Sequence, residues 1–431
     1  MRPAHVLVRT LPLPLVLAAC VAGHAGQEPP PCDPGDGGIT LPEGFCAIVV
    51  ADSLPTPRHL VVRGNGDIFV ATYGRRQTDA LGGVVALRDT SGDGHADVRV
   101  RFGPDAGGSG IALQGDDLYF GLDDAVERFR LPDGALRPAG DGVVLVHDLP
   151  ARPGHRAKSL AVQDGYVFVN IGSPSNSCQE QDRTNGSPGK DPCPELETRA
   201  GIWRFDANRQ DQTEADGERY ATGMRNTVAL ALDPGTGQLF GVIHGRDQLG
   251  QNWSDLYTLE QGAQLPAEEF VKVERGSDYG WPYCYYDGQQ HKKVLAPEYG
   301  GDGGHAVGRC ADKDMPLLAF PGHWAPDGLL FYTGTQFPES FRGGAFIAFH
   351  GSWNRAPMPQ QGYKVVFVPF RDGAPAGKGT TFADGFAGPD VSPGDALHRP
   401  VGLAVGPDGS LYISDDAGGR IWRVVYRQGR R

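Results

Sequence analysis

Short apolar segments recur along this chain in pairs, and an Asp- and Gly-rich turn separates the two members of each pair. The second member carries β-branched or aromatic residues, and the six pairs are 60–62 with 68–70, 111–113 with 118–120, 160–162 with 167–169, 229–232 with 239–241, 328–331 with 345–347 and 401–405 with 411–413. Asp-Gly, Asn-Gly and Gly-Asp turns typically join the strands of β-hairpins. No long stretch has the 3.6-residue apolar period of a helix, so the pattern predicts an all-β protein.

Six repeated hairpin units predict a six-bladed β-propeller with long inserted loops, because each unit must bury its faces against its neighbours. The composition agrees, since 63 Gly and 35 Pro suit many strands joined by tight turns. We expect the propeller to span residues 41–427 as one domain. The longest insertions, 176–199 and 278–309, are polar or aromatic loops of the kind that often carry binding sites.

Residues 1–25 read as an export signal, in which Arg2 and Arg9 precede a short apolar run over residues 11–19. That run is too short to span a bilayer, which takes about 20 apolar residues. We therefore expect a protein outside the cytoplasm, in the periplasm, in which a Pro-rich linker over residues 26–40 follows the signal.

Two processing routes fit this leader. The tetrapeptide that ends at Cys20 resembles a bacterial lipobox, which predicts lipidation of Cys20 and a membrane anchor. The alternative is ordinary cleavage after Ala25, where Gly23 and Ala25 supply the small residues. We expect no contact with a membrane apart from this possible lipid anchor.

The six remaining cysteines form three sequence-local pairs. In an oxidising compartment an even number of cysteines indicates disulfides. The expected bonds, each closing a loop, are Cys32–Cys46, Cys178–Cys193 and Cys284–Cys310. The chain carries a formal net charge of −12. That charge argues against nucleic acid as a partner, although local Arg clusters can still bind an anion.

Polar residues flank the predicted inner strands. His155 comes just before one such strand and can accept a proton at neutral pH, although a solvated loop histidine is the competing interpretation. Arg225-Asn226 enters a strand and Gly245-Arg246-Asp247 leaves the next one, so a hairpin brings both to one rim. A guanidinium, an amide and a carboxylate together suit an anionic ligand and a hard metal, or else a surface salt-bridge cluster.

A set of short motifs occurs along the chain in one order: Gly154-His155, 172–178, 223–226, 245–247, 278–282, 323–326, 349–354 and 399–402. This ordered set resembles the glucose/sorbosone dehydrogenase family of propellers that use pyrroloquinoline quinone (PQQ), and the resemblance covers about residues 40–426. It implies an oxidoreductase that transfers a hydride from a sugar, aldose or sorbosone-like aldehyde to PQQ. It also implies a Ca²⁺ ion and an external electron acceptor.

The resemblance assigns roles by position. His155 is expected to be the general base, while Arg225 and Asn226 are expected to bind PQQ. The backbone carbonyls of Gly245 and Arg246 are expected to coordinate Ca²⁺, where the glucose dehydrogenases carry Gly-Pro, and this difference fits the sorbosone branch better.

Three more residues complete the expected cofactor site. Arg355 and Arg399 are expected to clamp carboxylates of PQQ, because the guanidinium fork is fixed and always charged. Asp415 is expected to pair with His155 or with a cofactor-binding arginine.

Other interpretations remain open at this point. A Ca²⁺-dependent propeller hydrolase of the lactonase kind and a non-catalytic binding propeller are the alternatives to the dehydrogenase. Separately, residues 89–97 place oxygens at alternate positions around a Gly turn, which predicts either a Ca²⁺ loop or an ordinary Asp/Gly turn. The sequence leaves the identity of the sugar and the oligomeric state undetermined.

Overall fold

A computed structural model describes Met1 and residues 30–74 and 80–427. Short strands dominate it, and the predicted all-β class is confirmed. The predicted export signal, apart from Met1 and including Cys20, lies outside the described residues. The α-helices are α1 (Leu249–Asn252) and α2 (Leu259–Gln264), and within the described ranges no helix is long and apolar enough to cross a membrane.

Twenty-eight strands lie in the described residues. They are β1 Phe45–Ala51, β2 Pro57–Val62, β3 Ile68–Thr72, β4 Gly83–Arg88, β5 Val98–Phe102, β6 Gly108–Gln114, β7 Asp117–Leu122, β8 Val126–Arg130, β9 Val143–Val146, β10 Leu160–Gln163, β11 Tyr166–Ile171, β12 Gly201–Asp206, β13 Glu218–Thr222, β14 Ala229–Leu232, β15 Leu239–Ile243, β16 Glu268–Val273, β17 Ser277–Asp278, β18 Cys284–Asp287, β19 Lys292–Leu295, β20 Leu318–Phe320, β21 Pro326–Phe331, β22 Gly344–Phe349, β23 Lys364–Arg371, β24 Ala374–Pro375, β25 Thr380–Ala383, β26 Pro400–Val405, β27 Leu411–Asp415 and β28 Ile421–Tyr426. Short 3₁₀ turns lie at Pro34–Gly38, Pro194–Glu197, Glu214–Asp216, Pro297–Tyr299, Gly308–Cys310 and Glu339–Phe341.

The strands form six blades, as the sequence predicts. Blades one to three are the antiparallel sheets β2–β5, β6–β9 and β10–β13, and blade four combines β14–β16 with β20. Blade five combines β21–β23 with β25, and blade six combines β26–β28 with β1. The inner strands β2, β6, β10, β14, β21 and β26 each contact the next in that order, and β26 contacts β2, so the sheets close into a ring.

The ring closes through the two ends of the propeller. Strand β1 pairs antiparallel with β28, with Phe45 opposite Tyr426, so that one blade contains both ends of the fold. Residues 30–40 of the predicted linker pack against this blade, because the Cys32–Cys46 disulfide and the Asp33 backbone both join them to β1. Gly37 is needed there: its φ is +61°, and a Cβ would lie 2.4 Å from Val49 Cγ2.

The hydrophobic core lies between neighbouring blades, where facing sheets interdigitate. Large aromatic side chains fill these layers, and Trp203 and Trp422 are 1% and 0% exposed. Since both faces of most strands are buried, the polar groups that function needs are confined to the strand ends and to the loops.

All three predicted disulfides are confirmed. Cys178–Cys193 closes the first long insertion, and Cys284–Cys310 closes the second, which also carries the β18–β19 hairpin. The 89–97 loop is held by the side-chain-to-backbone hydrogen bonds of an Asp/Gly turn. Both Asp89 carboxylate oxygens accept backbone N–H groups of the same loop, and Asp97 accepts from Thr90.

Candidate active site

One position per blade builds the polar mouth of the propeller axis. The residue that directly follows the second strand of each blade lies at the same end of the ring, and these residues are Tyr73, Asp123, Gly172, His244, His350 and Asp416. The residues that begin the inner strands meet them there. Apolar side chains hold the strands in place, while the strand ends present charged and imidazole groups to the axis.

His155 lies in the loop before β10, as predicted. Its Nδ1 lies 2.8 Å from the Ser173 carbonyl oxygen, so Nδ1 carries the proton and the lone pair of the neutral ring is on Nε2. Burial, and then the nearby positive charge of Arg225, lower the pKa of His155 to about 3. The imidazole is therefore neutral at physiological pH, with Nε2 able to accept a proton.

Gly172 brings His155 and Asn226 together. A Cβ on Gly172 would lie 2.6 Å from the His155 Cβ and 2.8 Å from Asn226 Oδ1, so only glycine permits this approach. The Asn226 Oδ1 accepts a hydrogen bond from Asn170 Nδ2 at 3.2 Å, which fixes the amide. Asn226 Nδ2 forms no hydrogen bond within the described chain.

The predicted meeting of Arg225 with the Gly245–Asp247 segment is also observed. Arg225 Nη1 donates to the Gly245 carbonyl at 2.9 Å, and Nη2 donates to Asp247 Oδ2 at 2.8 Å. Asn176 lies in the first insertion. Its carbonyl accepts a hydrogen bond from Arg225 Nε, and its Oδ1 accepts one from Arg225 Nη2. The Arg246 side chain pairs through Nη1 with the buried Glu298 and donates through Nε to the Asp247 carbonyl at 3.3 Å. Although burial opposes ionisation, Arg225 lowers the pKa of Asp247.

A chain of five side chains spans the axis beside this group, and sequence reasoning did not identify it as a unit. Arg58 donates to Asp416 Oδ2 at 2.5 Å and to Asp327 Oδ2 at 3.1 Å. Each carboxylate also holds an imidazole: His350 Nε2 lies 2.7 Å from Asp416 Oδ1, and His244 Nε2 lies 3.2 Å from Asp327 Oδ1. We call these five residues the axial relay.

The side chains of the axial relay are largely buried, and they determine one another's ionisation. Burial raises the pKa of both carboxylates, but their partners outweigh it. Arg58 is the main cause of the lowered pKa of Asp327, while His350, and then Arg58, lower the pKa of Asp416 to about 2. Burial lowers the pKa of His244, but the hydrogen bond and the charge of Asp327 outweigh it, and the net pKa is raised. Two anions and one cation thus remain charged at neutral pH.

The sequence does contain a signal for the axial relay, which is the position of each residue relative to the strands of its blade. Arg58 and Asp327 are each the second residue of an inner strand and each follow a proline, while His244, His350 and Asp416 each follow a second strand. Aligning the six units residue by residue places them on one rim.

The structure differs from the predicted pairing of Asp415 with His155 or a cofactor-binding arginine. Asp415 pairs with neither His155 nor an arginine side chain. Its Oδ2 lies 2.7 Å from His398 Nδ1, and its Oδ1 accepts the backbone N–H groups of Arg399, Ala417 and Gly418. Asp415 is the last residue of β27 and is fully buried. It therefore organises the turn after the strand, while the next residue, Asp416, faces the axis.

The two predicted carboxylate clamps lie in different places. Arg399 Nε and Nη2 donate to the carbonyls of His350 and Gly351, so Arg399 supports the rim beside the relay, and its Nη1 makes no hydrogen bond within the described chain. Arg355 makes no hydrogen bond to Arg225 or Asn226 in the described chain. It donates instead to the carbonyls of Ala263 and Gly322 and lines a separate groove.

Comparison with known proteins supports the resemblance. A PQQ-dependent pyranose dehydrogenase from Coprinopsis cinerea is 25% identical over 91% of this chain and 55% of its own length. The holo PQQ domain of pyranose dehydrogenase from that fungus covers 90% of this chain and 97% of its own, with 20% identity and a TM-score of 0.72. A calcium structure of Trichoderma reesei family AA12 has 19% identity, the same coverage and a TM-score of 0.73.

The chain spans about half the length of the curated relatives it matches. The structural neighbours, at or below 20% identity, establish the six-bladed fold. The TrAA12-like family profile matches residues 39–428, which is nearly the whole propeller. On this match, and on the shared propeller architecture, the chain belongs to the TrAA12-like family.

Proposed function

We propose that this protein is a PQQ- and Ca²⁺-dependent oxidoreductase that oxidises a sugar, aldose or sorbosone-like aldehyde, with His155 as the general base. One observation carries the proposal. His155 presents an unprotonated Nε2 at the propeller axis, beside Arg225, Asn226 and the axial relay. The similarity to PQQ-dependent pyranose dehydrogenase supports it.

Donors on Asn226 and Arg225, near His155, and on Arg399, beside His350, fit an anionic, oxygen-rich cofactor such as PQQ. Asn226 Nδ2 and Arg399 Nη1 form no hydrogen bonds to the described residues, and Arg225 uses four of its five N–H groups on protein oxygens. These groups would bind carboxylate or quinone oxygens. PQQ, when bound, accepts the hydride that leaves the substrate carbon.

The oxygens next to Arg225 fit Ca²⁺. The Gly245 carbonyl keeps one lone pair after accepting from Arg225, and the Arg246 carbonyl accepts no hydrogen bond in the described chain. Asn354 Oδ1 is buried and has no hydrogen-bond partner among the described residues, while Asn354 Nδ2 donates to Asp247 at 2.8 Å. Carbonyl, amide and carboxylate oxygens are the ligands that Ca²⁺ takes in proteins.

The protein's part in the reaction is to place and move one proton. His155 Nε2 takes the proton of the substrate hydroxyl, and the Ser173 carbonyl keeps Nδ1–H directed away from the substrate. A pKa of about 3 is low for a base that works at neutral pH. Because Arg225 is one cause of that low value, an anionic ligand at Arg225 would raise the pKa of His155 towards the working range.

The cellular setting is part of the same proposal. The mature protein acts in the periplasm, attached through a lipid on Cys20 or free after cleavage at Ala25, and passes electrons to an external acceptor. Metabolic labelling with a radioactive fatty acid distinguishes the two forms, since only the lipoprotein is labelled and Cys20→Ser removes the label.

The decisive experiment titrates purified mature protein with PQQ and Ca²⁺ and follows dye reduction with a panel of pyranoses, other aldoses and sorbosone. His155→Ala is the test variant, and His305→Ala, at an exposed histidine, is the control. We expect saturable PQQ binding by all three proteins and Ca²⁺-dependent activity only in the wild type and the control. A folded protein that binds Ca²⁺ but not PQQ would refute the proposal and favour the lactonase-like hydrolase or the binding propeller.

A further inference from the structure

A groove of about 730 Å³ runs between blades four and five, apart from the axis. Helix α2, the β18–β19 hairpin, strand β20 and the loops around β21 and β22 line it, together with the end of the β23–β25 connection. None of its lining residues belongs to the axial relay or to the group that Arg225 forms with Asn176, Gly245 and Asp247. Its volume lies within the range of about 300–1,000 Å³ that small-molecule sites occupy.

The charge of the groove is opposite to that of the protein. The chain carries −12 overall, yet no Asp or Glu is among the described residues that line the groove. Arg355, Lys378 and His291 line it instead, and Lys378 and His291 are exposed. A cationic groove on an acidic protein selects anionic ligands over neutral ones.

Arg355 is a buried cation without a carboxylate. It is 3% exposed and forms no ion pair within the described residues. Its Nε and Nη1 donate to the carbonyls of Pro359, Ala263 and Gly322, and its Nη2 has no hydrogen-bond partner in the same part of the chain. An uncompensated buried charge is costly to a fold, so this arrangement indicates a site whose counter-ion arrives with a ligand.

The remaining lining residues suit a sugar. Trp324 is half-buried, and its Nε1 donates to Gln361 Oε1 at 3.1 Å, which fixes the indole. Gln264 and Gln289 offer amide groups at the rim and bond to each other at 3.2 Å. An indole face contacts the C–H face of a pyranose, and primary amides both donate to and accept from hydroxyls.

We propose that this groove binds an acidic oligosaccharide, a short chain of uronic acid units, at a site separate from the axial one. Arg355 binds a carboxylate within the groove, Lys378 binds a second one at the rim, and Trp324 packs against a sugar ring. The proposal does not depend on the axial chemistry, because none of these three residues contacts His155 or the axial relay.

The test is calorimetric titration of the full mature protein with trigalacturonate, with cellotriose as the neutral probe and tetraglutamate as the acidic peptide probe. We expect trigalacturonate to bind, the two others to show no saturable heat, and binding to weaken as salt rises. Trp324 is expected to report the same event through a change in tryptophan fluorescence that Trp324→Leu removes.

Two variants and a control locate the site. Lys378→Glu reverses an exposed charge without touching the core, and we expect it to weaken trigalacturonate binding about tenfold. Arg355→Gln is expected to weaken it about thirtyfold or more. Arg137→Glu makes the same charge reversal at an exposed arginine of blade two and should change nothing.

Three outcomes would overturn the proposal. Tetraglutamate binding as tightly as trigalacturonate would indicate a peptide site, and cellotriose binding equally well would show that the cations are not used. Competition between PQQ and trigalacturonate, with loss of PQQ binding in Arg355→Gln, would assign the groove to the cofactor instead.

Discussion

Arg58 and Asp416 lie 358 residues apart in sequence, and their ion pair joins the neighbouring blades one and six where the ring closes, with 2.5 Å between Nη1 and Oδ2. Because Arg58 also holds Asp327, a single guanidinium compensates two buried carboxylates. Arg58 therefore links the two carboxylates, each of which also pairs with an imidazole, His244 or His350.

Replacing Arg58 by Gln is expected to destabilise the protein by about 3–5 kcal/mol, because it leaves two buried carboxylates without their cation. Denaturant unfolding measures this difference in the free energy of unfolding. Arg137→Gln, at an exposed position, serves as the control and is expected to change stability by less than about 0.5 kcal/mol. Equal stabilities for the two variants would show that the relay contributes nothing to folding.

His155 is expected to stay neutral well below its ordinary titration range in the ligand-free protein. Its folded pKa of about 3 lies below the unfolded value of 6.5. Between these values the unfolded chain binds the extra proton, so the stability from the neutral His155 is complete above pH 6.5 and is lost as pH falls towards 3.

Nitrogen NMR of labelled histidine should show one ring that carries its proton on Nδ1 down to about pH 4. Addition of PQQ should raise this pKa. Titration near 6.5 in the ligand-free protein would contradict the assignment.

Asn354→Ala is expected to raise the dissociation constant for Ca²⁺ about tenfold, because it removes a buried amide oxygen that has no other partner. Calorimetry in the presence of PQQ measures the constant. The matched control is Asn208→Ala, at an exposed turn of blade three. Unchanged Ca²⁺ affinity in Asn354→Ala would place the metal elsewhere.

Loss of the Cys178–Cys193 disulfide is expected to destabilise the protein by about 3 kcal/mol, since the bond closes a loop between residues 15 apart. The double Cys→Ser variant should also bind PQQ more weakly, because the same loop carries Asn176, which holds Arg225. Thermal unfolding and PQQ titration check both effects. A variant with lower stability but unchanged PQQ affinity would separate the loop from the site.

The six hairpins and three disulfides were predictable because both depend on short-range features of the sequence. Turn residues and alternating strands are local signals, and the cysteine partners are close in sequence. The pairing of Arg225 with the Gly245 segment was also predictable, because a single hairpin brings them together.

The axial relay was not predictable in the same way, because ring closure alone joins residues as distant as Arg58 and Asp327. The error at Asp415 has a geometric cause. Successive side chains at a strand end point in opposite directions, so a shift of one residue exchanges the turn-forming carboxylate for the axial one, Asp416. Arg355 sits in a loop whose path depends on contacts with α2, and no local pattern encodes that path.

Because β1 pairs with β28, the two ends of the fold lie in one blade, and the ring of blades does not require the chain to begin and end there. If a short linker joined residues 30 and 427, a new start could be cut in any exposed connection between blades, and the order of the sheets around the axis would not change. Circular permutation should therefore be tolerated at such connections. Chain ends placed at different positions around the ring would allow electrodes or other proteins to be attached near the axial site or near the blade four–five groove.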